Sequence, residues 1–162
     1  MSVSASSFFS AKFFTPTLVR QRFYSKLLCG STSLAKISRI QNEETYGISF
    51  RDKTYVSKIA DSIQKGNTKA RIVDVRDTKE LDHGMIPGAV HLPFSSLEDA
   101  LKMDEVVFSQ SFGFPKPSKE EEIVFYCKQG GRATCAAMKF SNAGHNASCY
   151  PGSFNEWFAK DY

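Results

Sequence analysis

Short apolar runs alternate along this chain with longer stretches whose apolar residues recur at helical spacing, and the alternation holds from residue 48 to the C-terminal end. The clearest run is Ile123, Val124, Phe125 and Tyr126, unbroken and β-rich behind the charged residues 119–122. It predicts a strand buried on both faces of a parallel sheet. Ile48 to Phe50 and Ala147 to Tyr150 read as shorter strands. Thr54 to Gln64 puts Val56, Ile59, Ala60 and Ile63 on one face of a helix, and Glu98 to Met103 and Glu105 to Phe112 predict two short helices. Ala133 to Phe140 is rich in helix formers and gives way at Asn142 and Gly144, so a helix of about two to three turns opens beside Arg132. Gly113 to Pro117 predicts a rigid turn ahead of the Ile123 strand, with Phe114 open to two readings, core residue or lining of a pocket mouth. Alternating strand and helix signals specify an α/β fold: a three-layer arrangement with a central, mainly parallel sheet and helices on both faces.

Length and charge divide the chain. At 162 residues and 41% hydrophobic content it can build one core, not two, and no internal repeat is present. Residues 1–42 carry Lys12, Arg20, Arg22, Lys26, Lys36 and Arg39 and no acid, so this segment holds +6 while the remainder of the +4 chain is at −2. Val19, Phe23 and Leu27 recur at helical spacing among the basic residues, and serine is abundant. Basic, amphipathic, acid-poor composition predicts an organelle transit peptide, with Arg22-Phe23-Tyr24 before Ser25 resembling a mitochondrial processing site cleaved after Tyr24. The mitochondrial matrix is the expected compartment and the chloroplast the alternative; a basic tail for nucleic acid or a membrane surface is the third reading. No stretch approaches the roughly eighteen apolar residues of a membrane span, and no nucleic-acid partner is expected. The folded domain is expected over residues 46–160.

Candidate chemistry gathers at one loop. Cys127 ends the apolar run and is followed by Lys128, Gln129, Gly130, Gly131 and Arg132. Two glycines permit backbone angles that turn consecutive N–H groups toward one point, and the following helix adds its positive end. Such a loop cradles an anion, favours thiolate over thiol at Cys127 and makes it a nucleophile, with Lys128 and Arg132 adding positive charge. Cys29, Cys135 and Cys149 read as small buried hydrophobes. There is no C-x-x-C and the histidines are scattered, so no metal is expected, and His83 and His91 belong to no constellation.

The C-x-x-G-x-R pattern of Cys127, Gly130 and Arg132 resembles the active-site loop of the rhodanese family. Ile72-Val73-Asp74-Val75-Arg76 is similar to that family's first core strand, with Glu80 at the usual offset. The segment from Gly84 to Pro93 resembles its G-H-I-P-G-A stretch, with Met85 in place of the histidine. Tyr150 to Trp157 resembles its closing glycine turn and helix. The resemblance covers roughly residues 46 to 160 and implies a rhodanese-like fold and sulfur transfer. Thiosulfate is the implied donor and Cys127 the persulfide-forming nucleophile, with no organic cofactor needed. Lys128, Gln129, Gly130, Gly131 and Arg132 would form the substrate cradle, and glutathione, cyanide or a protein thiol would be the acceptor. Related dual-specificity cysteine phosphatases have five residues between cysteine and arginine; here that arginine position is Ala133, and the tighter loop favours sulfur. A persulfide carrier serving a protein partner and, behind it, a cysteine phosphatase or arsenate reductase remain as alternatives, as does a rhodanese fold used for binding alone. Asp74 and Arg76 fall at a strand end facing the same crevice. Asp74 is read as structural support and Arg76 as an additional attraction for the anion. Oligomeric state is left open.

Overall fold

The computed structural model describes residues 46–159. The leader over residues 1–42 and its expected cleavage after Tyr24 lie outside the described residues, as does Cys29. In chain order the elements are β1 (Ser49–Phe50), α1 (Lys53–Gln64), β2 (Arg71–Asp74), β3 (Val90–His91), α2 (Leu97–Lys102), α3 (Glu105–Phe112), β4 (Ile123–Tyr126), α4 (Gly131–Asn142), β5 (Ala147–Cys149) and α5 (Ser153–Trp157). Two 3₁₀ segments, Thr78–His83 and Phe94–Ser96, complete the path.

The five strands form one sheet in the order β1-β5-β4-β2-β3, every pair parallel. The hydrophobic run Ile123 to Tyr126 makes β4 the centre because all four of its residues can be buried. Strand side chains alternate between faces. Ile123 and Phe125 accordingly pack with Phe108 of α3 and with Ala133, Ala137 and Phe140 of α4. Val124 and Tyr126 pack on the opposite face with Val56, Ile59 and Ala60 of α1, joined by Trp157 of α5. These two clusters fill the interfaces between the sheet and the helices on its two faces, giving a three-layer α/β fold, as the alternation of signals predicts.

Local chemistry fixes the helix ends. Asp52 caps α1 by accepting from the Tyr55 N–H at 2.8 Å, and Asp104 caps α3 by accepting from the Val107 N–H at 2.9 Å. Gly113 ends α3 in the left-handed region at φ +76°. Phe114 belongs to the core: it is 7% exposed and meets Phe108 edge-on at 5.1 Å. Arg71, at the start of β2, lies over its other side at 5.3 Å, which places Phe114 at the end of the sheet remote from Cys127.

Register decides what meets at the functional edge. Asp74 pairs with Tyr126, and Phe125 with Cys149, so the C-terminal ends of β2, β4 and β5 lie side by side with Cys127 just beyond the middle one. Crevices form at that edge of parallel sheets. The aromatic packing around Phe108 is far from this edge and serves stability. Replacing fully buried Phe108 by alanine should cost about 3–5 kcal/mol in chemical denaturation of the full chain.

Candidate active site

Cys127 is the first residue beyond β4 and is 2% exposed. Its Sγ accepts a hydrogen bond from the Gly130 N–H at 3.1 Å. Gly130 adopts φ +90°, and a Cβ there would fall 2.4 Å from the Pro151 carbonyl oxygen, so position 130 tolerates only glycine on two counts. The Gly130 carbonyl accepts from both the Thr134 N–H (2.9 Å) and the Thr134 hydroxyl (3.0 Å), which ties the loop to the first turn of α4. With α4 starting at Gly131, its positive end lies beside the sulfur.

The loop is also held from outside. The Cys127 N–H donates to Ser153 Oγ at 3.2 Å, the Phe154 N–H donates to the Cys127 carbonyl at 3.0 Å, and the Asn155 N–H donates to the Lys128 carbonyl at 3.1 Å. Lys128 and Gln129 are exposed on the loop's outer rim. Arg132, half-buried in the first turn of α4, points to the 3₁₀ segment after β2. It donates to Glu80 through Nη1 (2.6 Å) and Nη2 (2.9 Å), with Asp77 at 3.3 Å. Hydrogen bonds from Arg132 hold the Glu80 carboxyl down at about 2.

Arg76, expected as an additional attraction for the anion, is 1% exposed, and each of its guanidinium nitrogens is hydrogen-bonded within the protein. Its Nε meets both Asp74 carboxylate oxygens at 3.0 Å, and Nη2 meets Asp74 at 2.7 Å. Nη1 donates to the Glu80 carbonyl (3.0 Å) and Nη2 to the Gly84 carbonyl (2.6 Å), while the Phe154 ring covers the guanidinium at 4.2 Å. The sequence places Arg76 at the right strand end, but the 3₁₀ turn through Gly84 and the Phe154 ring close over it. Asp74, with no exposed surface, is the partner that makes this burial possible.

The other thiols differ from Cys127 in surroundings. Burial pushes the Cys149 thiol up to about 12, and its sulfur lies 3.4 Å from the Thr134 hydroxyl. Cys135 is buried in α4. Tyr126, just before Cys127, has its ionisation pushed up by burial and then by the Asp74 charge, and its hydroxyl accepts from the Ile86 N–H at 3.1 Å. His91 Nε2 lies 2.9 Å from the Arg76 carbonyl, and His83 is exposed. Among the described residues no group of three or more His, Cys, Asp or Glu could hold a metal ion, and no helix is long and apolar enough to cross a membrane. Sequence reasoning singled out Glu80 by its offset alone and passed over Ser153. Neither has a periodicity or composition signal, because their partners lie 52 and 26 residues away.

What these residues form is a short backbone loop whose Gly130 N–H meets the Cys127 sulfur, with Arg132 tied to Glu80 in the first turn of α4. A rhodanese-like domain model matches residues 56–160. The thiosulfate:glutathione sulfurtransferase of Saccharomyces cerevisiae is 33% identical over 129 residues, which cover 79% of this chain and 86% of that protein. The mitochondrial thiosulfate sulfurtransferase RDL2 of the same yeast is 35% identical over 104 residues, 64% of this chain and 70% of that one. Among solved structures, the human single-domain sulfurtransferase TSTD1 aligns with a TM-score of 0.59 at 32% identity, over 70% of this chain and 97% of the human one. The matched residues span the central strands, the Cys127 loop and the closing turn, and on these grounds the chain belongs to the rhodanese-like domain family.

Proposed function

We propose that this protein is a thiosulfate sulfurtransferase that carries sulfane sulfur on Cys127 and delivers it to a thiol such as glutathione. The observation that carries the reading is the contact of Cys127 Sγ with the Gly130 N–H, at the start of α4 and inside a loop with only four residues between cysteine and arginine. In the first step the Cys127 thiolate attacks the outer sulfur of thiosulfate, a sulfur–sulfur bond forms at Cys127, and the bond to the inner sulfur breaks with its electron pair leaving on sulfite. The loop amides meet the terminal persulfide anion as oxyanion donors meet a developing alkoxide. In the second step the acceptor thiolate takes the terminal sulfur as its own persulfide, and Cys127 leaves as thiolate. Charge balances in both steps, and no metal or organic cofactor takes part.

Support comes from the two yeast sulfurtransferases, whose names specify thiosulfate in both cases and glutathione in one. Cyanide is a small acceptor suited to assay, and a protein thiol is a further candidate. The acid-free leader and the mitochondrial relative RDL2 support a mitochondrial location, for which the matrix is our reading.

Arg132 has a double duty in this scheme. Glu80 holds its guanidinium at the side of the cradle, and the incoming dianion meets the donors that Glu80 leaves free.

Incubating the full chain with thiosulfate should add one sulfur atom, seen by intact mass and mapped to Cys127, with sulfite released as the adduct forms, and glutathione or cyanide should then remove the added sulfur and sustain sulfite release. Cys127→Ser should abolish both signals, whereas Cys135→Ser should keep them; an absent adduct on the native chain overturns the proposal. Arg132→Ala should raise the KM for thiosulfate about tenfold to a hundredfold in a sulfite-release assay, the worth of hydrogen bonds to a charged group. The Glu80 carboxyl is lowered from 4.5 to about 2, so the stability it contributes is complete above its unfolded value and disappears as pH falls through its folded one. Denaturation midpoints measured between about pH 5 and about pH 3 should therefore decline in the native chain and decline less in Glu80→Gln.

A further inference from the structure

Ser153 is the only non-glycine residue among the described residues with a left-handed backbone, at φ +55°, and it is wholly buried. Side chains rarely adopt that conformation, and outliers of this kind persist where the surroundings over-determine them. A glycine stands next to it, yet Gly152 takes an ordinary φ of −63°. What Gly152 supplies is room, since a Cβ there would meet Glu156 Oε2 at 1.7 Å. The turn thus keeps a hydroxyl where glycine would relax the backbone. That hydroxyl is fully used: it donates to the Tyr150 carbonyl at 2.8 Å and accepts the Cys127 N–H at 3.2 Å.

The residues after Ser153 act on the loop through peptide planarity. Phe154 and Asn155 donate their N–H groups to the carbonyls of Cys127 and Lys128, so both carbonyls point outward to the turn. In a trans peptide the carbonyl and the next N–H point opposite ways, and the described residues contain no cis bond. Anchoring these two carbonyls therefore turns the Lys128 and Gln129 N–H groups away from the turn. That is the interior side, where the Gly130 N–H already meets Cys127 Sγ.

We infer that Ser153 is a positioning residue for sulfur transfer: its left-handed backbone and bridging hydroxyl hold the start of α5 against the loop and so aim the loop amides at the Cys127 sulfur. This deepens the proposed role of Cys127 and rests on it.

The test uses the full chain carrying Ser153→Gly, Ser153→Ala or Ser153→Thr, with three readouts: thermal unfolding, sulfite release from thiosulfate, and iodoacetamide alkylation mapped to Cys127. Ser153→Gly keeps the turn without its strain and should stay folded with a near-native melting temperature. Its Cys127 should nevertheless alkylate about tenfold more slowly at neutral pH, as should kcat for sulfite release, the worth of about one buried hydrogen bond. Ser153→Ala should behave likewise at lower stability, and Ser153→Thr, which restores the hydroxyl, should recover the neutral-pH rate. Native alkylation and native kcat in Ser153→Gly overturn the inference, as does a loss that merely follows the unfolded fraction. Because alkylation needs no sulfur donor, it separates this outcome from failure of the sulfurtransferase reading, which shows instead as a native chain that forms no adduct with thiosulfate.

Discussion

A guanidinium shut away from water must have its donor directions filled, and the way Arg76 is satisfied organises the active edge of this protein. Desolvating two charges is costly, so the Asp74–Arg76 pair is no guarantee of extra stability; breaking it would strand a buried charge. Its value is geometric. With Asp74 filling one edge, Arg76 spends its remaining donors on the carbonyls of Glu80 and Gly84 and pulls the 3₁₀ turn against the sheet. Glu80, fixed by that contact and by the Asp77 N–H at 3.1 Å, then holds Arg132. A charge that never meets solvent thereby sets the position of one that does.

The reactive loop is bounded by two such supports. On one side stand the 3₁₀ turn and Glu80, which govern the arginine. On the other, the turn after β5 takes the loop's outward-facing groups, with the Pro151 carbonyl so close to Gly130 that no side chain fits between. A short loop with glycines would be loose by itself, since glycine loses much freedom on ordering. Supports on both sides restrict that freedom, so in the proposed sulfur transfer the donors would need no rearrangement when charge moves onto the terminal sulfur.

The same edge holds more than one thiol, and environment decides which can serve. Cys149 ends β5 within the core, and burial keeps it a thiol. Cys127 directly follows β4 and lies at the point where the Gly130 N–H meets its sulfur and α4 begins. Low exposure is common to both; Cys127 Sγ meets a backbone N–H, that of Gly130, and Cys149 Sγ meets the Thr134 hydroxyl.

The sequence by itself determined what depends on neighbours a few residues apart. β4 was legible because four consecutive apolar residues follow a charged cluster, α1 because its apolar face recurs at helical spacing, and α4 because Ala133 to Phe140 is rich in helix formers and gives way near Asn142 and Gly144. The Cys127 loop was legible because its chemistry is contiguous, from the sulfur to Arg132. Tertiary structure decided whatever depends on partners far along the chain. Two-residue β3 has no period to read and exists by pairing with β2. Arg76 carries the same charge whether it faces an anion or a buried carboxylate, and only the closing turn distinguishes these. Ser153 looks like any turn serine until β5 and α5 bring its hydroxyl to the Cys127 amide. Periodicity and propensity are local properties that a sequence displays directly, whereas the direction in which a peptide group or a charge points is fixed by packing between distant segments.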